Sequence, residues 1–481
     1  MNKRMVFSTL GQLTLSEAIL MILPLITALI YGEIRTAIAF AITVGIALLI
    51  GGVLYFCFST DNKLIFAKEG FVIVAFGWLI MSAIGALPFV ISGDIPSYID
   101  AFFETVSGFT TTGASILTDI EAMSHGCLFW RSFTHWVGGM GVLVFVMALI
   151  PSISDRSIHI MRAEMPGPIV GKIVPRARAT ARILYVIYFV MTLVQIVLLL
   201  LGGMDLFESL IHSFGTAGTG GFGMKSDSIA SYSPYLQWVI TVFMFLFGVN
   251  FNLYYLFLMK KFRSAIKSGE FWAYVGITVG ATAIICINIY PSFDSFGEAL
   301  RAAAFQVSSI ITTTGYSTVD FNLWPTLSKA VILVLMFVGA CAGSTGGGFK
   351  VTRVVMLMKT IKQELKRILH PRSVTTVKFE GKALDKTITA SVGTYLALYI
   401  FCFVVIVLVI SFEPFDFETT FSAALSCFNN IGPGLSSVGP VSSYADYSAF
   451  SKIVLSLAML LGRLEIYPLL IALSPSTWTK K

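Results

Sequence analysis

The sequence predicts an all-α, polytopic membrane protein with a fourfold internal repeat and about ten membrane spans. Its 481 residues are 56% hydrophobic and only 12% charged, whereas globular proteins carry about 25% charged residues. Apolar runs of about 20 residues, the length that crosses a bilayer, recur along the whole chain. Four similar strings rich in threonine and glycine each lie between two such runs, and they indicate the repeat.

The four strings set the boundaries of the repeats. They are "SGFTTTGASIL", "SFGTAGTGGFG", "SSIITTTGYSTVD" and "SCFNNIGPGLS", around Gly113, Gly220, Gly315 and Gly432, which are 107, 95 and 117 residues apart. Each unit is predicted as a spanning helix, a short apolar segment ending in the string, and a second spanning helix. The units lie near 70–150, 183–260, 271–369 and 386–474, after two helices near 12–31 and 36–58. The domains are therefore a helix pair at 1–60 and repeats at 61–155, 156–265, 266–375 and 376–481.

The distribution of charge predicts which helix ends face the cytoplasm. Residues 350–386 hold ten Lys/Arg and three acids, residues 151–182 six and two, and residues 259–270 four and one. Residues 91–125 hold five acids and residues 411–450 hold four, with no Lys or Arg in either stretch. Because cytoplasmic loops are enriched in Lys and Arg, we expect the basic stretches and both termini inside and the four strings outside.

The short apolar segment in each unit predicts a pore. Ala101–Thr112, for example, is too short to cross the bilayer as a helix, and non-helical backbone at membrane depth must be buried in protein or line water. We expect a short helix that enters from outside and returns as an extended strand, whose glycine lets neighbouring carbonyls face one axis. Four such strands form an oxygen ring that replaces the hydration shell of potassium, and the outer acids concentrate cations at its mouth. For a single string, close helix packing at glycine is the alternative.

The string "GACAGSTGGGFK", residues 339–350, predicts a break in the last helix of the third repeat. Five of its twelve residues are glycine, and each glycine costs about 1 kcal/mol inside a helix. We expect a break at 341–348 that lines a cavity and acts as a gate; a static packing site is the alternative. A phosphate-binding loop is excluded because Phe349 intervenes before the lysine and no Ser or Thr follows Lys350. The expected gate residues are Gly343, Ser344, Thr345, Gly346, Gly347, Gly348 and Lys350.

One arginine stands inside a predicted span. Arg463, in "LLGRLEIYP", lies 31 residues after Gly432, and the same offset from Gly220 falls between Asn250 and Asn252. Because a charge within a span is costly and faces the protein interior, we predict that Arg463 and Asn250 line the pathway below the ring. A positive charge there repels cations and hastens their exit. The alternative is a structural pair with Glu465 or with backbone carbonyls.

No pattern typical of an enzyme is present in the sequence. It lacks a convergent nucleophile and base, its five histidines have no HExxH spacing, and its six cysteines form no CxxC pair. We therefore expect no catalytic residue, no structural metal site and no organic cofactor. The net charge of +7 is attributed to membrane topology and not to nucleic-acid binding.

Four helix–pore–helix units after a helix pair resemble the Trk/Ktr/HKT superfamily of cation transporters. The match covers nearly the whole chain, and the segment at 161–188 with the additional N-terminal helices resembles the superfamily's TrkH branch of bacterial potassium uptake subunits, with the TrkG branch as a close relative. The resemblance implies that Gly113, Gly220, Gly315 and Gly432 are filter glycines, that glycine in the first repeat favours potassium, and that the residues before each glycine coordinate the transported K⁺. The implied potassium-binding residues are Thr111, Thr112, Gly113, Gly218, Thr219, Gly220, Thr313, Thr314, Gly315, Asn430, Ile431 and Gly432.

The resemblance also implies partners and a location. It implies a homodimer in which each protomer keeps its own pore, in the lipid of the bacterial inner membrane, and a cytosolic, nucleotide-binding regulatory subunit of the TrkA type. The basic loops at 151–182 and 350–386 are the expected docking surface. The expected function is potassium uptake through a gated, channel-like pore. Symport with a proton or sodium is the alternative, although the repeats carry no mid-helix acid apart from Glu465.

Overall fold

The structure is a computed structural model that describes residues 1–60, 66–141, 177–372, 376, 378–379, 382–384 and 386–478. Of the stretches predicted to be cytoplasmic, residues 151–176, 373–375, 377, 380–381, 385 and 480–481 lie outside the described residues. The described chain is almost entirely helical, which confirms the all-α prediction. Its one sheet is a pair of two-residue antiparallel strands, β1 (Lys378–Phe379) and β2 (Lys382–Ala383).

The N-terminal helices form the predicted pair, with one break. They are α1 (Lys3–Leu20), α2 (Ile22–Ile30) and α3 (Ile34–Cys57). The break follows from Pro24, which has no N–H for the carbonyl of Leu20. Small residues bring the two arms of the pair together, because a Cβ built on Gly11 would lie 2.8 Å from the carbonyl oxygen of Gly51.

Each repeat has a long first helix, a short helix and a second helix of 13–15 residues, in the predicted order. Residues 142–150, the predicted end of the first repeat's second span, lie outside the described residues. The first repeat contains α4 (Ala67–Gly85), α5 (Leu87–Ser92), α6 (Tyr98–Phe109) and α7 (His125–Gly139). The second contains α8 (Ala177–Leu201), α9 (Leu206–Gly218), α10 (Pro234–Phe247), α11 (Phe251–Leu258) and α12 (Phe262–Ile266). The third contains α13 (Gly269–Ile289), α14 (Phe296–Ile311), α15 (Thr326–Val338) and α16 (Val351–Leu369). The fourth contains α17 (Lys386–Ile410), α18 (Phe417–Asn429), α19 (Ala449–Arg463), α20 (Tyr467–Leu473) and α21 (Pro475–Trp478).

Membrane-spanning length is reached by six helical segments among the described residues. These are the two arms of the N-terminal pair and the first helix of each repeat. The second helices of repeats two and four are bent, by 89° between α10 and α11 and by 117° between α19 and α20. If each bent pair is one span, the number rises to eight. The bends were not predicted, and they make the second helices shorter than the ten-span prediction assumed.

The short helices α6, α9, α14 and α18 begin in the same way. Ser97, Asp205 and Ser295 each accept a hydrogen bond from the backbone N–H three residues on, and Asp416 holds the N-cap position of α18. Every one of these helices has an acid in its first turn. Caps and acids both stabilise a helix N-terminus, so each short helix has a fixed start, and its C-terminal end leads into one of the four strings.

Glycines let the second helices pack onto the ends of the short helices. A Cβ built on Gly138 of α7 would lie 1.9 Å from the carbonyl oxygen of Phe109, at the end of α6. A Cβ built on Gly462 of α19 would lie 1.9 Å from the carbonyl oxygen of Phe428, in the last turn of α18. Any side chain at these positions would push the end of the short helix away, so the two glycines help to fix where the strings begin.

Candidate functional site

The four strings adopt one backbone pattern, which is the strongest evidence for the repeat. In each string, a residue in the left-handed region is followed two residues later by a glycine of positive φ. The left-handed residues are Thr111, Thr219, Thr313 and Asn430, with φ of 55°, 57°, 59° and 58°. The glycines are Gly113, Gly221, Gly315 and Gly432, with φ of 80°, 76°, 85° and 99°. Between them stand Thr112, Gly220, Thr314 and Ile431, each of which donates its N–H to the carbonyl five residues earlier.

This pattern corrects the predicted register of the second repeat by one residue. Gly221 has the positive φ and corresponds to Gly113, while Gly220 corresponds to Thr112. The prediction was wrong because two glycines stand side by side and the string alone does not distinguish them. Gly218 is then the last residue of α9, and a Cβ on it would lie 2.2 Å from the carbonyl oxygen of His135, so it serves helix packing.

The four strings close into a ring in which each repeat touches the next. A Cβ built on the positive-φ glycine of one repeat would meet a carbonyl oxygen of the next repeat. That oxygen belongs to the residue just before the next repeat's own positive-φ glycine. The pairs are Gly113 with Gly220 (2.0 Å), Gly221 with Thr314 (2.0 Å), Gly315 with Ile431 (2.2 Å) and Gly432 with Thr112 (2.9 Å). The order of contacts runs from the first repeat to the fourth and back, as a pseudo-fourfold arrangement requires.

The carbonyl oxygens of this ring have no hydrogen-bond donor among the described residues. They belong to Thr112, Gly220, Thr314 and Ile431, all of which are buried. Nearly all buried backbone carbonyls in proteins are paired, so four unpaired oxygens at equivalent positions are unusual. The carbonyl oxygen of Gly432, the next residue of the fourth string, differs from these four oxygens because it is paired. It accepts hydrogen bonds from Ser426 Oγ (2.7 Å) and Tyr444 Oη (3.0 Å).

A cavity of about 490 Å³ lies directly outside the ring. All four positive-φ glycines line it, together with Arg131, Lys225 and Asp446. Among the described residues, Asp446 is the one acid on the wall of this cavity. Several of the acids expected at the mouth have structural contacts instead: Glu104 pairs with Arg131, Asp100 pairs with Lys452, and Asp94 accepts a hydrogen bond from Ser124.

The predicted interruption of the third repeat is present directly beneath the ring. α15 ends at Val338 and α16 begins at Val351, so the break is slightly wider than predicted; we call residues 339–350 the intramembrane loop. Its Gly347 N–H donates to Thr313 Oγ1 at 2.6 Å, and a Cβ on Gly347 would lie 2.5 Å from the carbonyl oxygen of Asn429. The loop therefore packs against the inner ends of strings three and four.

Contacts from other helices hold this loop in place. The Thr345 hydroxyl donates to the Phe247 carbonyl at the end of α10, and the Gly343 carbonyl accepts the Phe251 N–H at the start of α11. Within the loop, Ser344 Oγ donates to the Cys341 carbonyl, the Lys350 ammonium group donates to the Gly346 carbonyl, and Gly348 has φ of 77° beside Gly339. The bend between α10 and α11 is thus the surface on which the loop rests.

Glu270, in the first turn of α13, contacts both ends of the loop. Its buried carboxylate accepts the Ala342 N–H at 2.6 Å and a hydrogen bond from the Thr352 hydroxyl. Sequence reasoning missed this residue, because an acid at the start of a helix is an ordinary cap and the partners lie 72 and 82 residues away.

Arg463 lies against backbone carbonyls below the ring. Its guanidinium donates to the carbonyl oxygen of Thr345 in the loop (2.8 Å) and to those of Gly138 and Gly139 at the end of α7 (2.6 and 2.7 Å). The contact with backbone carbonyls was one of the predicted alternatives for Arg463, and Glu465 was the other partner considered. Glu465 binds Arg353 of α16 at 2.5 Å.

Asn250 also faces the intramembrane loop. Its Oδ1 would lie 3.0 Å from a Cβ on Gly343, and it accepts hydrogen bonds from the backbone and side-chain nitrogens of Asn252. Asn250 and Arg463 therefore meet the same loop from two sides, at Gly343 and at Thr345. The sequence offset had grouped these two residues, and both contact the loop.

Comparisons with known proteins identify the fold and its relatives. The model of the TrkH family, described as a cation transport protein, matches residues 36–273 and 290–480. The chain is 35% identical to the Trk system potassium uptake protein TrkH of Salmonella typhimurium, covering 99% of this chain and 100% of that protein, and 32% identical to TrkG of Escherichia coli, covering 99% and 98%. The crystal structure of the potassium transporter TrkH from Vibrio parahaemolyticus matches with a TM-score of 0.90 at 33% identity, over 100% of both chains.

Proposed function

The chain belongs to the TrkH family of cation transport proteins, and we propose that it takes up potassium through a gated, channel-like pore. The observation that carries this proposal is the ring of unpaired carbonyl oxygens of Thr112, Gly220, Thr314 and Ile431. An unpaired buried carbonyl costs about as much as a lost hydrogen bond. A dehydrated cation at the centre supplies the missing partner to all four, and the names of the relatives point to potassium.

The potassium-binding residues of this proposal are three consecutive residues from each string. They are Thr111–Gly113, Thr219–Gly221, Thr313–Gly315 and Asn430–Gly432. The fourth string lacks the Thr pattern, and only "TTGY" at 313–316 approaches the TVGYG of potassium channels. A ring with less uniform walls discriminates less strongly against rubidium, caesium and sodium. A potassium-to-sodium permeability ratio as high as that of a TVGYG channel would count against this part of the proposal.

The intramembrane loop is the gate of the proposed pore. Its contact with Thr313 supports a position across the inner exit of the ring, and its glycines permit the backbone changes that opening requires. Arg463 holds the closed loop by its Thr345 carbonyl and repels cations from the exit. Opening must break this hydrogen bond, so Arg463 acts on both the gate and the permeating ion.

The proposed setting is the bacterial inner membrane, with both termini in the cytoplasm. The relatives are components of a "Trk system", which supports a cytosolic, nucleotide-binding regulator as partner, and we propose a homodimer with one pore in each protomer. Exposed lysines and an arginine of α16 offer a docking face for the regulator: Lys359, Lys362, Lys366 and Arg367.

A proton-coupled symporter is the second candidate, favoured by one observation. Glu17 of α1 is completely buried, and neither of its carboxylate oxygens has a hydrogen-bond partner among the described residues. An ionisable group inside a membrane domain is a candidate proton site. Glu17 lies beside the first repeat, because a Cβ on Gly85 would lie 3.1 Å from its Oε1.

Ion flux from purified protein in liposomes tests both candidates. With pH and sodium clamped, a pore gives a potassium flux whose reversal potential follows the potassium gradient alone. Flux that needs or moves a second ion identifies a symporter instead. Glu17→Gln then separates the two further: it leaves a pore's reversal potential unchanged, whereas it abolishes proton coupling if Glu17 carries the proton.

A further inference from the structure

A buried ion pair stands behind the string of the first repeat. Glu104 of α6 and Arg131 of α7 are 1% and 2% exposed, and the distance from Arg131 Nε to Glu104 Oε1 is 2.6 Å. Removing two charges from water is costly unless they pair closely and their other hydrogen-bonding atoms are satisfied. Here the remaining contacts of both side chains are made with the strings themselves.

Glu104 holds the string of its own repeat. Its Oε1 accepts a hydrogen bond from Ser115 Oγ (2.9 Å), and its Oε2 accepts one from the Ile116 N–H (3.0 Å). Ser115 and Ile116 follow Gly113 by two and three residues. The carboxylate therefore fixes the outer end of the first string against its own short helix.

Arg131 holds the string of the next repeat. Its Nη1 donates to the Gly223 carbonyl (3.2 Å), and its guanidinium carbon lies 3.5 Å from the centre of the Phe222 ring. Phe222 and Gly223 directly follow Gly221. The pair therefore connects the outer ends of strings one and two, whose inner parts already touch where Gly113 meets the Gly220 carbonyl.

The other three repeats carry no such pair at the equivalent positions. Nine residues before the positive-φ glycines stand Glu104, His212, Gln306 and Ala423. The seventh residues of α7, α10, α15 and α19 are Arg131, Ile240, Ile332 and Leu455. The repeat architecture thus forms without these charges, so folding alone does not explain why the first repeat contains them.

We propose that Glu104 and Arg131 are positioning residues that set the ion selectivity of the ring by fixing strings one and two relative to each other. The inference rests on the proposed potassium function. Carbonyl rings select between cations by the size and rigidity of the ring of oxygens. The Glu104–Arg131 ion pair, which we call the brace, connects strings one and two and thereby limits how far the ring contracts around the smaller sodium ion. Arg131 also lines the mouth cavity, where Glu104 neutralises its charge.

Two conservative variants test the brace. Arg131→Lys keeps the positive charge but replaces the planar guanidinium group, which binds both Glu104 and Gly223, by a single ammonium group. Glu104→Gln keeps the size of the side chain but removes its charge. The readouts in liposomes are the potassium-to-sodium permeability ratio, from bi-ionic reversal potentials, and the concentration of potassium that gives half-maximal flux. We expect both variants to lower the permeability ratio several-fold with cation flux retained. Glu104→Gln should also raise the half-maximal concentration, because it leaves Arg131 unpaired at the mouth.

A double variant separates positioning from charge. Glu104→Gln with Arg131→Met restores neutrality without the brace, so the half-maximal concentration should return towards the wild-type value while the permeability ratio stays low. Recovery of both quantities would show that charge balance alone matters, and it would overturn the proposal. An unchanged ratio in folded single variants would overturn it too.

Control variants cover the remaining outcomes. Lys452→Arg perturbs a different ion pair, between Lys452 and Asp100 of α6, which are 2.6 Å apart. Among the described residues, the side chains of this pair make no hydrogen bond with the four strings, so the variant should leave the permeability ratio unchanged. If the charged variants do not assemble, Phe222→Leu removes the ring under the guanidinium and leaves the ion pair intact. It should still lower the ratio, and a wild-type ratio in it would count against the brace. Wild-type protein that carries no potassium flux would refute the proposed function itself, before any variant is compared.

Discussion

A Cβ atom built on Gly113 would lie 2.0 Å from the carbonyl oxygen of Gly220, the residue before the corresponding glycine of the next repeat. No side chain fits into that space, and a φ of 80° would strain one in any case. The glycine thus lets two repeats approach until the backbone of one contacts the carbonyl of the other. The ring needs this approach four times, which explains why one chain contains four such strings.

Alanine at Gly221 should damage transport more than alanine at Gly223. Gly221 has φ of 76° and a carbonyl oxygen 2.0 Å from its Cβ position, whereas the nearest atom to a Cβ on Gly223 is 3.4 Å away. Holding a non-glycine residue in a sparsely populated backbone conformation costs about 1–3 kcal/mol, before the clash is added. We expect Gly221→Ala to reduce potassium flux at least about tenfold, since 1.4 kcal/mol corresponds to a factor of ten.

Flux and permeability ratio in liposomes measure this effect, and Gly223→Ala is the matched control two residues away. The same comparison tests the corrected register. Equal damage from both alanines would mean that Gly221 has no special place in the ring.

Substitutions of Arg463 should open the gate. The side chain donates to the carbonyls of Thr345, Gly138 and Gly139, and hydrogen bonds to charged groups contribute about 1.5–3 kcal/mol each. Arg463→Gln removes the charge and most of this bridge, so potassium flux should rise several-fold or more. Arg463→Lys keeps the charge but replaces the planar fork by a single ammonium group, and it should give an intermediate flux.

The potassium fluxes of these two Arg463 variants decide whether the residue acts by repelling the ion or by its hydrogen bonds to the loop and α7. If repulsion of the ion dominates, the lysine variant resembles the wild type; if the bridge dominates, it resembles the glutamine variant. Wild-type flux in both would remove Arg463 from the gate and leave it as a packing residue.

The sequence predicted those features that local patterns determine. Long apolar runs and the Thr/Gly strings located the helices and the short segments, and the glycines at 339–350 located the intramembrane loop, because helix length and glycine propensity are local properties. Features that depend on contacts between distant residues were missed. The identity of Gly221, the contact of Glu270 with Ala342 and the pairing of Arg353 with Glu465 all join residues that only the fold brings together. The bends after Phe247 and Arg463 were missed too, because neither helix carries a glycine run at its break.

The stability contributed by Glu413 should depend on pH. Hydrogen bonds from the hydroxyl groups of Ser448, the N-cap residue of α19, and Ser451, in its first turn, hold the pKa of this carboxyl below its ordinary value. A depressed folded-state pKa gives stability that is present above the unfolded value, about 4.3, and that is lost as pH falls through the folded value. Glu413→Gln should therefore lower the unfolding temperature of purified protein more at pH 7 than at pH 3. A constant difference between the two proteins at both pH values would contradict the linkage.

Removing the charge of Glu270 should release the intramembrane loop. The carboxylate accepts hydrogen bonds from the Ala342 N–H, which precedes four of the five glycines of the loop, and from the Thr352 hydroxyl, which follows all of them. Both ends of the loop are thereby held to α13, so its movement away from Thr313 must strain or break these contacts.

A neutral amide accepts weaker hydrogen bonds than a carboxylate, and a loss of about 1–2 kcal/mol shifts a gate equilibrium by roughly tenfold. We expect Glu270→Gln to raise potassium flux by about that factor and Thr352→Val, which removes one of the two contacts, to raise it less. Glu298→Gln is the control, because Glu298 also stands in the first turn of its helix, α14, and makes no hydrogen bond with the loop among the described residues. A flux in Glu270→Gln at or below that of Glu298→Gln would show that Glu270 does not restrain the gate.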